Sequence, residues 1–109
     1  MDSVQELVHN KVLRFHDSIK AFWSVKKVLL YGSYAKGQAK EDSDIDVAVV
    51  IDEADHTKRV EITRGLFHMA FGIDAAIEPK CIFWDEYQHP DPASILSEII
   101  NTGIEVAGF

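Results

Sequence analysis

The sequence predicts a small α/β (α+β) domain in which helices pack on a mixed β-sheet. Three observations predict it: short runs of β-branched residues, longer segments with apolar residues at three- and four-residue spacing, and the alternation of the two along the chain. The 109 residues suffice for one compact domain with a buried core, so residues 1–109 are taken as a single domain.

Apolar periodicity and capping residues predict three helices. The first spans residues 4–22, and the second runs from Thr57 as N-cap to Ala70. The third has Asp91 as N-cap, Pro92 as its first residue and Gly103 as C-terminal cap. The buried stripe of the second helix is expected at Val60, Leu66, Phe67 and Ala70. The buried stripe of the third helix is expected at Ile95, Leu96, Ile99 and Ile100.

Strands are predicted where β-branched residues cluster, at 28–31, 45–51 and 73–83, with a short final strand at 104–106. Pro79 lacks an amide hydrogen, so the third strand is expected to be irregular there, at an edge, a bulge or a break. A turn or two of helix is expected between the first two strands.

Composition excludes several classes of function. A net charge of −7 argues against binding of long DNA or RNA, which needs clustered Lys and Arg, but a nucleoside triphosphate remains compatible. No apolar run approaches the roughly 20 residues that cross a bilayer and no secretory signal is present, so we expect a soluble, cytoplasmic protein. Cys81, the single cysteine, is expected in the core.

Two carboxylates lie at the start of the second strand. Residues two apart on a strand project from the same face, so Asp44 and Asp46 lie side by side while Ile45 faces the opposite layer. Their repulsion requires a cation, a shared proton or open water, and hard oxygen ligands suit Mg²⁺ or Mn²⁺. An isolated Asp-Ile-Asp is more often a solvated strand entrance.

A glycine and a serine follow the first buried strand. Gly32 lets a backbone approach a phosphate without a Cβ clash, and the Ser33 hydroxyl can add a hydrogen bond. Amides at the start of the next helix-forming segment point their positive ends outward, which favours phosphate. An isolated Gly-Ser is only a turn.

The joint spacing of the two motifs is more specific than either alone. Gly32-Ser33 is followed by ten residues and then by Asp44-Ile45-Asp46, within the longer strings Gly-Ser-Tyr-Ala-Lys-Gly and Ser-Asp-Ile-Asp-Val. This pattern resembles the signature of the DNA polymerase β-like nucleotidyltransferase superfamily, and it is most similar to the minimal nucleotidyltransferases. The close match covers residues 30–50.

The resemblance implies a nucleotidyltransferase fold, two Mg²⁺ or Mn²⁺ ions and ATP as the donor. Carried over by position, it implies that Gly32 and Ser33 bind the phosphates of the donor and that Asp44 and Asp46 are catalytic and share the metal ions. Two divalent ions can orient a triphosphate and neutralise charge on the leaving pyrophosphate.

The superfamily places a third Asp or Glu on a neighbouring strand, and two residues are candidates here. Glu78 and Asp74 have the same parity along 73–83, so alternation does not choose between them. We predict Glu78 as the third catalytic and metal-binding carboxylate, because it lies within an apolar run. Asp74 is the alternative, since it follows Gly72 and can cap a turn.

The resemblance predicts an enzyme that transfers a nucleoside monophosphate, AMP from ATP, to a partner protein. Minimal nucleotidyltransferases often pair with a small helical HEPN protein as the antitoxin of a toxin–antitoxin pair, so a HEPN-type partner is expected. A homodimer is another way to complete the acceptor site. Two alternatives are a non-catalytic nucleotide-binding module that neutralises a partner by binding, and transfer to a small antibiotic, which generally needs a second domain.

Overall fold

A mixed sheet forms the centre of the molecule. The computed structural model describes residues 3–39 and 43–108. Within these ranges the strands are β1 (Val25–Tyr31), β2 (Ile45–Ile51), β3 (Ile77–Phe83) and β4 (Ile104–Gly108), in the order β3-β2-β1-β4. β1 is antiparallel to β2 and β4, whereas β2 and β3 are parallel. The predicted mixed sheet is confirmed.

The helices of the described ranges are α1 (Ser3–Ile19), α2 (Arg59–Phe71), α3 (Trp84–Gln88) and α4 (Ile95–Thr102). A 3-10 turn, His56–Lys58, precedes α2. None of these helices is both long and apolar enough to span a membrane. The sequence did not predict α3, which has only five residues, too few for a periodic pattern.

α1 and α2 cover one face of the sheet and enclose the larger core. Fully buried there are Phe15 of α1, Leu66 of α2 and Val47 and Val49 of β2. Burial of each such side chain stabilises the fold by about 1.5–3 kcal/mol. Cys81 lies in this core at 4% exposure, as predicted.

The other face of the sheet is only partly covered. A smaller core of Leu29, Ala48, Val50, Ile82 and Ile99 lies beneath α3 and α4. Towards the end of β1 and the starts of β2 and β3, the polar residues of this face are not enclosed by either core, and this end of the sheet carries the candidate site.

β3 differs from the expected irregular strand. Its pairing with β2 runs in unbroken register from Ile77 to Phe83, and Pro79 lies inside it. β3 is an edge of the sheet, and the backbone nitrogen of Pro79 is directed away from β2. Because Pro79 would form no hydrogen bond to a strand on that side, its missing amide hydrogen does not disrupt the pairing with β2. The prediction from Pro79 that this strand lies at an edge of the sheet is therefore confirmed, and the prediction that the strand is irregular is wrong.

The start of the second helix and two of the four residues of its expected buried stripe were predicted wrongly, whereas Leu66 and Ala70 are buried as predicted. The α-helix begins at Arg59 with Lys58 as N-cap, and Asp55 caps the preceding 3-10 turn, where its Oδ1 accepts a hydrogen bond from the Thr57 amide at 3.0 Å. The helix buries Ile62, Leu66 and Ala70, whereas Val60 is 68% exposed and Phe67 is 46% exposed. Apolar residues occur on two sides of this helix, so periodicity could not select the side that meets the sheet.

The third predicted helix begins later than expected. α4 starts at Ile95 with Ser94 as N-cap, and Asp91 instead accepts the Ala93 amide at 3.0 Å in the preceding turn. Ile99 is buried, but Ile95 is 63% exposed, which corrects part of the expected stripe. The predicted cap at Gly103 is confirmed, because its amide donates to the Ile99 carbonyl at 2.7 Å.

Candidate active site

Three polar residues form a row across three adjacent strands. Tyr31 of β1 pairs with Asp46 of β2, and Asp46 pairs with Glu78 of β3. Cross-strand partners point to the same face with Cβ atoms about 4.5–5.5 Å apart, so these side chains are neighbours. All three line one cleft of about 350 Å³.

Asp44 and Asp46 lie on either side of Ile45 in sequence, where β2 begins. Ile45 between them is buried, whereas Asp46 is partly buried and Asp44 is exposed. Desolvation by burial, and then the neighbouring Asp44, raise the pKa of Asp46. Among the described residues, neither carboxylate has a hydrogen-bond or ion-pair partner.

The turn after β1 brings its backbone against Asp46. Gly32 has a φ of +73°, and a Cβ atom at this position would overlap Asp46 Oδ2 and lie 3.2 Å from Asp46 Cγ. The turn is closed by the Lys36 amide, which donates to the Gly32 carbonyl at 3.1 Å, and by the Gln38 amide, which donates to the Ser33 carbonyl at 2.9 Å. The turn that was predicted to bind phosphate therefore meets Asp46, one member of the predicted acidic pair.

The two candidates for the third carboxylate lie in different surroundings. Glu78 is on β3 beside Asp46, and its side chain is exposed. Asp74 lies before β3, where its Oδ2 is 2.6 Å from Lys11 Nζ and its Oδ1 accepts the Ala76 amide at 2.8 Å. Hydrogen bonding to Lys11 lowers the pKa of Asp74. The structure brings Glu78, and not Asp74, into the row.

The carboxylates are neighbours without forming a closed metal cage. Within residues 3–39 and 43–108, no three His, Cys, Asp or Glu side chains are arranged so that they could hold a metal ion. The available donors beside Asp46 are carboxylate oxygens, a set that suits hard divalent cations. Water and phosphate oxygens would have to complete the coordination.

Tyr31 is a site residue that the sequence analysis missed. Desolvation by burial raises the pKa of its phenol, and Asp46 and Glu78 add to the shift. Tyr31 therefore stays protonated at neutral pH and can donate a hydrogen bond beside the two carboxylates. Its position immediately before Gly32 was the available signal, but strand pairing was needed to place it next to Asp46.

The cleft continues from the row over the free edge of β3 to α2. Arg59, Thr63 and Phe67 of α2 line its far side. Arg59 is held in place, since Nη1 donates to the Cys81 carbonyl at 2.8 Å and Nη2 is 2.5 Å from Glu86 Oε2. The cleft thus has an acidic inner end and a wall formed by β3 and α2.

Comparison with known proteins identifies the family of this fold and site. Residues 12–98 match the family described as "Nucleotidyltransferase domain". The chain belongs to this family. The predicted family and the predicted class of enzyme, a nucleotidyltransferase, are thereby confirmed.

Relatives of this nucleotidyltransferase occur in Methanocaldococcus jannaschii. One, named "Putative protein adenylyltransferase MJ0141", is 31% identical over 81 residues, which cover 73% of this chain and 77% of the relative. Another, with the same description and the designation MJ1379, is 48% identical over 44 residues. That segment covers 39% of this chain and only 44% of the relative.

Solved structures share the fold. A "putative nucleotidyltransferase from Sulfolobus solfataricus" has a TM-score of 0.62 at 15% identity, over 93% of this chain and 80% of that chain. A toxin–antitoxin structure with AMP-PNP has a TM-score of 0.55 at 21% identity, and the match covers 93% of this chain and 73% of that chain. The structure of a tri-AMPylated Shewanella oneidensis HEPN toxin in complex with an MNT antitoxin has a TM-score of 0.50 at 22% identity. The match covers 96% of this chain and 73% of that chain.

Proposed function

We propose that this nucleotidyltransferase transfers AMP from ATP to a hydroxyl group of a partner protein in a metal-dependent reaction. The observation that carries the proposal is the position of Asp46, which lies against Gly32 on one side and beside Glu78 on the other. A phosphate-binding turn and a pair of acids from two strands are thus next to one another.

On the donor side, Gly32 and Ser33 bind the phosphates of ATP. Because position 32 has no side chain, a phosphate oxygen can approach the turn backbone closely, and the Ser33 hydroxyl can donate a hydrogen bond. The phosphates then lie beside Asp44 and Asp46, where the transferred group must be.

The donor set fits the predicted cations. Asp44, Asp46 and Glu78 offer carboxylate oxygens, and none of the three is ion-paired with a cationic side chain of the described residues. They would hold two Mg²⁺ or Mn²⁺ ions. When bound, such ions neutralise negative charge on the triphosphate and on the pyrophosphate leaving group.

On the acceptor side, Glu78 acts as the general base. It accepts the proton of the acceptor hydroxyl while the hydroxyl oxygen forms a bond to the α-phosphorus and the bond to pyrophosphate breaks. Glu78 is exposed and without a hydrogen-bond partner among the described residues, so its lone pairs are available. Tyr31 stays neutral beside it and can orient Asp46 or the donor.

The proposed acceptor is a HEPN-type helical protein. Support comes from the shared fold with toxin–antitoxin structures, one of which contains an AMPylated HEPN toxin. The cleft is open over the β3 edge, so a segment of a partner can reach Glu78. A homodimer of this chain would be a different way to supply the acceptor.

The test uses purified protein, ATP labelled at the α-phosphate, Mg²⁺ and a purified HEPN-type protein as the acceptor. Labelled acceptor is expected with the wild type and is expected to fall on the order of 100-fold or more with Asp46→Asn and Glu78→Gln. Asp74→Asn is the matched control, because Asp74 is paired with Lys11, and should retain transfer. Equal labelling by wild type and Asp46→Asn would refute the proposal.

One observation favours a second function, a non-catalytic module that neutralises its partner by binding. The described side chains do not form a ready three-ligand metal site. For such a module, wild-type protein would leave no label on the acceptor in the same assay, yet would coelute with it on gel filtration without nucleotide.

A further inference from the structure

Almost all lysines in the described ranges of this protein have a neighbouring carboxylate. Seven lysines lie in the described ranges, and six of them have a carboxylate oxygen within 4.0 Å of Nζ. The pairs are Lys11–Asp74, Lys20–Asp17, Lys26–Asp52, Lys27–Glu105, Lys36–Glu98 and Lys58–Glu53. Within these ranges Lys80 is the exception, although the chain has a net charge of −7.

Lys80 lies in the candidate site. It is two residues after Glu78 on β3, so it projects from the same face, and it lines the cleft together with Asp46 and Glu78. Its cross-strand partner on β2 is Ala48, which has no polar group to offer. β3 is the edge of the sheet that the described residues form, so none of its strands flanks Lys80 on the other side.

The second cation of the cleft is not available in the same way. Arg59 is bound to the Cys81 carbonyl and to the Glu86 carboxylate, and its guanidinium is 4.4 Å from the centre of the Phe83 ring. Among the described residues that line the cleft, Lys80 is therefore the cation without an anionic partner.

The reach of Lys80 matches the position of the transferred group. Residues two apart on a strand are about 6.6 Å apart, a distance that a lysine side chain spans. Its ammonium group can thus reach an anion bound beside Glu78 and Asp46. The anion that the proposed function puts there is the α-phosphoryl group of ATP.

We infer that Lys80 is a further catalytic residue, which donates a hydrogen bond to a non-bridging oxygen of the α-phosphoryl group during transfer. This inference rests on the proposed function. As the acceptor oxygen bonds to the α-phosphorus and pyrophosphate leaves, Lys80 keeps its proton and offsets charge on the equatorial oxygens. A lysine serves this purpose as a compact point charge on a flexible stem.

The test compares steady-state transfer by wild type, Lys80→Met and Lys80→Arg. Loss of one transition-state donor lowers kcat by about 10²–10³-fold, so Lys80→Met should show a loss of this order, while Lys80→Arg keeps most of the activity. Arg64→Met is the matched control, because Arg64 is also an exposed cation without a carboxylate partner among the described residues but does not line the cleft. Its kcat should not change.

A second measurement separates contact with phosphate from a structural effect. The two diastereomers of α-thio-ATP replace one non-bridging oxygen by sulfur. In wild type, sulfur at the oxygen that Lys80 contacts should lower kcat relative to ATP. In Lys80→Met this loss should be smaller for the same diastereomer, because the hydrogen bond from Lys80 to that oxygen is already missing. Unchanged kcat in Lys80→Met, a change confined to the KM of the acceptor, or equal thio effects in both proteins would overturn the inference.

The same assay distinguishes this inference from the proposed function. If wild type transfers AMP and Asp46→Asn does not, but Lys80→Met behaves as wild type, only the role of Lys80 is wrong. If wild type transfers nothing to any acceptor, the proposed function itself is wrong. Lys80→Met should melt at the wild-type temperature, since its side chain is exposed.

Discussion

The carboxylate of Asp46 occupies the space that a side chain at Gly32 would need. A Cβ atom at position 32 would overlap Asp46 Oδ2 and lie 3.3 Å from Asp46 Cβ. Position 32 also has a φ of +73°, which side chains other than glycine rarely adopt. Two independent features, a backbone angle and a side-chain contact, thus favour glycine where the turn meets the acid.

The first prediction separates these two constraints by comparing Gly32→Ala with Gly37→Ala. Gly37 has a φ of +70° and nothing within 4 Å of its would-be Cβ, so its substitution introduces backbone strain alone, about 1–2 kcal/mol. Gly32→Ala adds the overlap with Asp46 and should lower the free energy of unfolding by about 1–3 kcal/mol more. Urea denaturation measures both, and AMP transfer should fall only in Gly32→Ala.

The extra loss should depend on Asp46. In an Asp46→Gly background, Gly32→Ala should destabilise the protein about as much as Gly37→Ala does, since the overlapping carboxylate is gone. If Gly32→Ala lowers the free energy of unfolding by the same extra amount with and without the Asp46 side chain, the overlap with Asp46 is not the cause.

The second prediction concerns the uncompensated charge of Asp46. Because burial and Asp44 raise the pKa of Asp46, its ionised form destabilises the folded protein above the folded-state pKa, and this effect disappears below the unfolded-state pKa. In the absence of Mg²⁺, Asp46→Asn should therefore raise the free energy of unfolding at pH 7, and the same substitution should abolish transfer. The gain should vanish near pH 3. Lower stability of Asp46→Asn at pH 7 than of wild type would contradict it.

Local pattern was sufficient for the part of the site that lies within one strand or turn. Alternation through β2 predicted a buried Ile45 followed by a less buried Asp46, and the turn at Gly32 followed from residue type alone. These features depend on neighbours in sequence, which the pattern contains.

Features that depend on pairing between distant segments could not be predicted from the sequence pattern. Glu78 and Asp74 have the same parity, and what distinguishes them is an ion pair between Asp74 and Lys11, 63 residues earlier. Tyr31 joins the row only because β1 pairs with β2 in a particular register. The cover on each sheet face, and hence the buried side of α2, likewise depends on how separate elements pack.

The third prediction uses the Asp74–Lys11 pair. Hydrogen bonding to Lys11 lowers the pKa of Asp74 from 3.8, so the pair stabilises the fold above the unfolded-state pKa and the effect is lost as pH falls through the lower folded-state pKa. Asp74→Asn should lower the free energy of unfolding by about 1 kcal/mol at pH 7. The difference from wild type should shrink towards pH 2 in chemical denaturation. An equal difference at both pH values would show that the charge of Asp74 is not responsible.

The fourth prediction uses the thiol of Cys81 to report on the contact between α2 and β3. Burial raises the pKa of Cys81 to about 11 from 9.0, which lowers its thiolate fraction at pH 8 about 100-fold, so iodoacetamide should label the native protein at least that much more slowly than the urea-unfolded protein. Arg59 donates to the Cys81 carbonyl, so Arg59→Met should loosen this edge and accelerate native labelling, whereas Arg64→Met should not. The chain has a single cysteine, so the labelling rate reports on this thiol alone. Equal rates in native and unfolded protein would mean that β3 and α2 do not shield the thiol in solution.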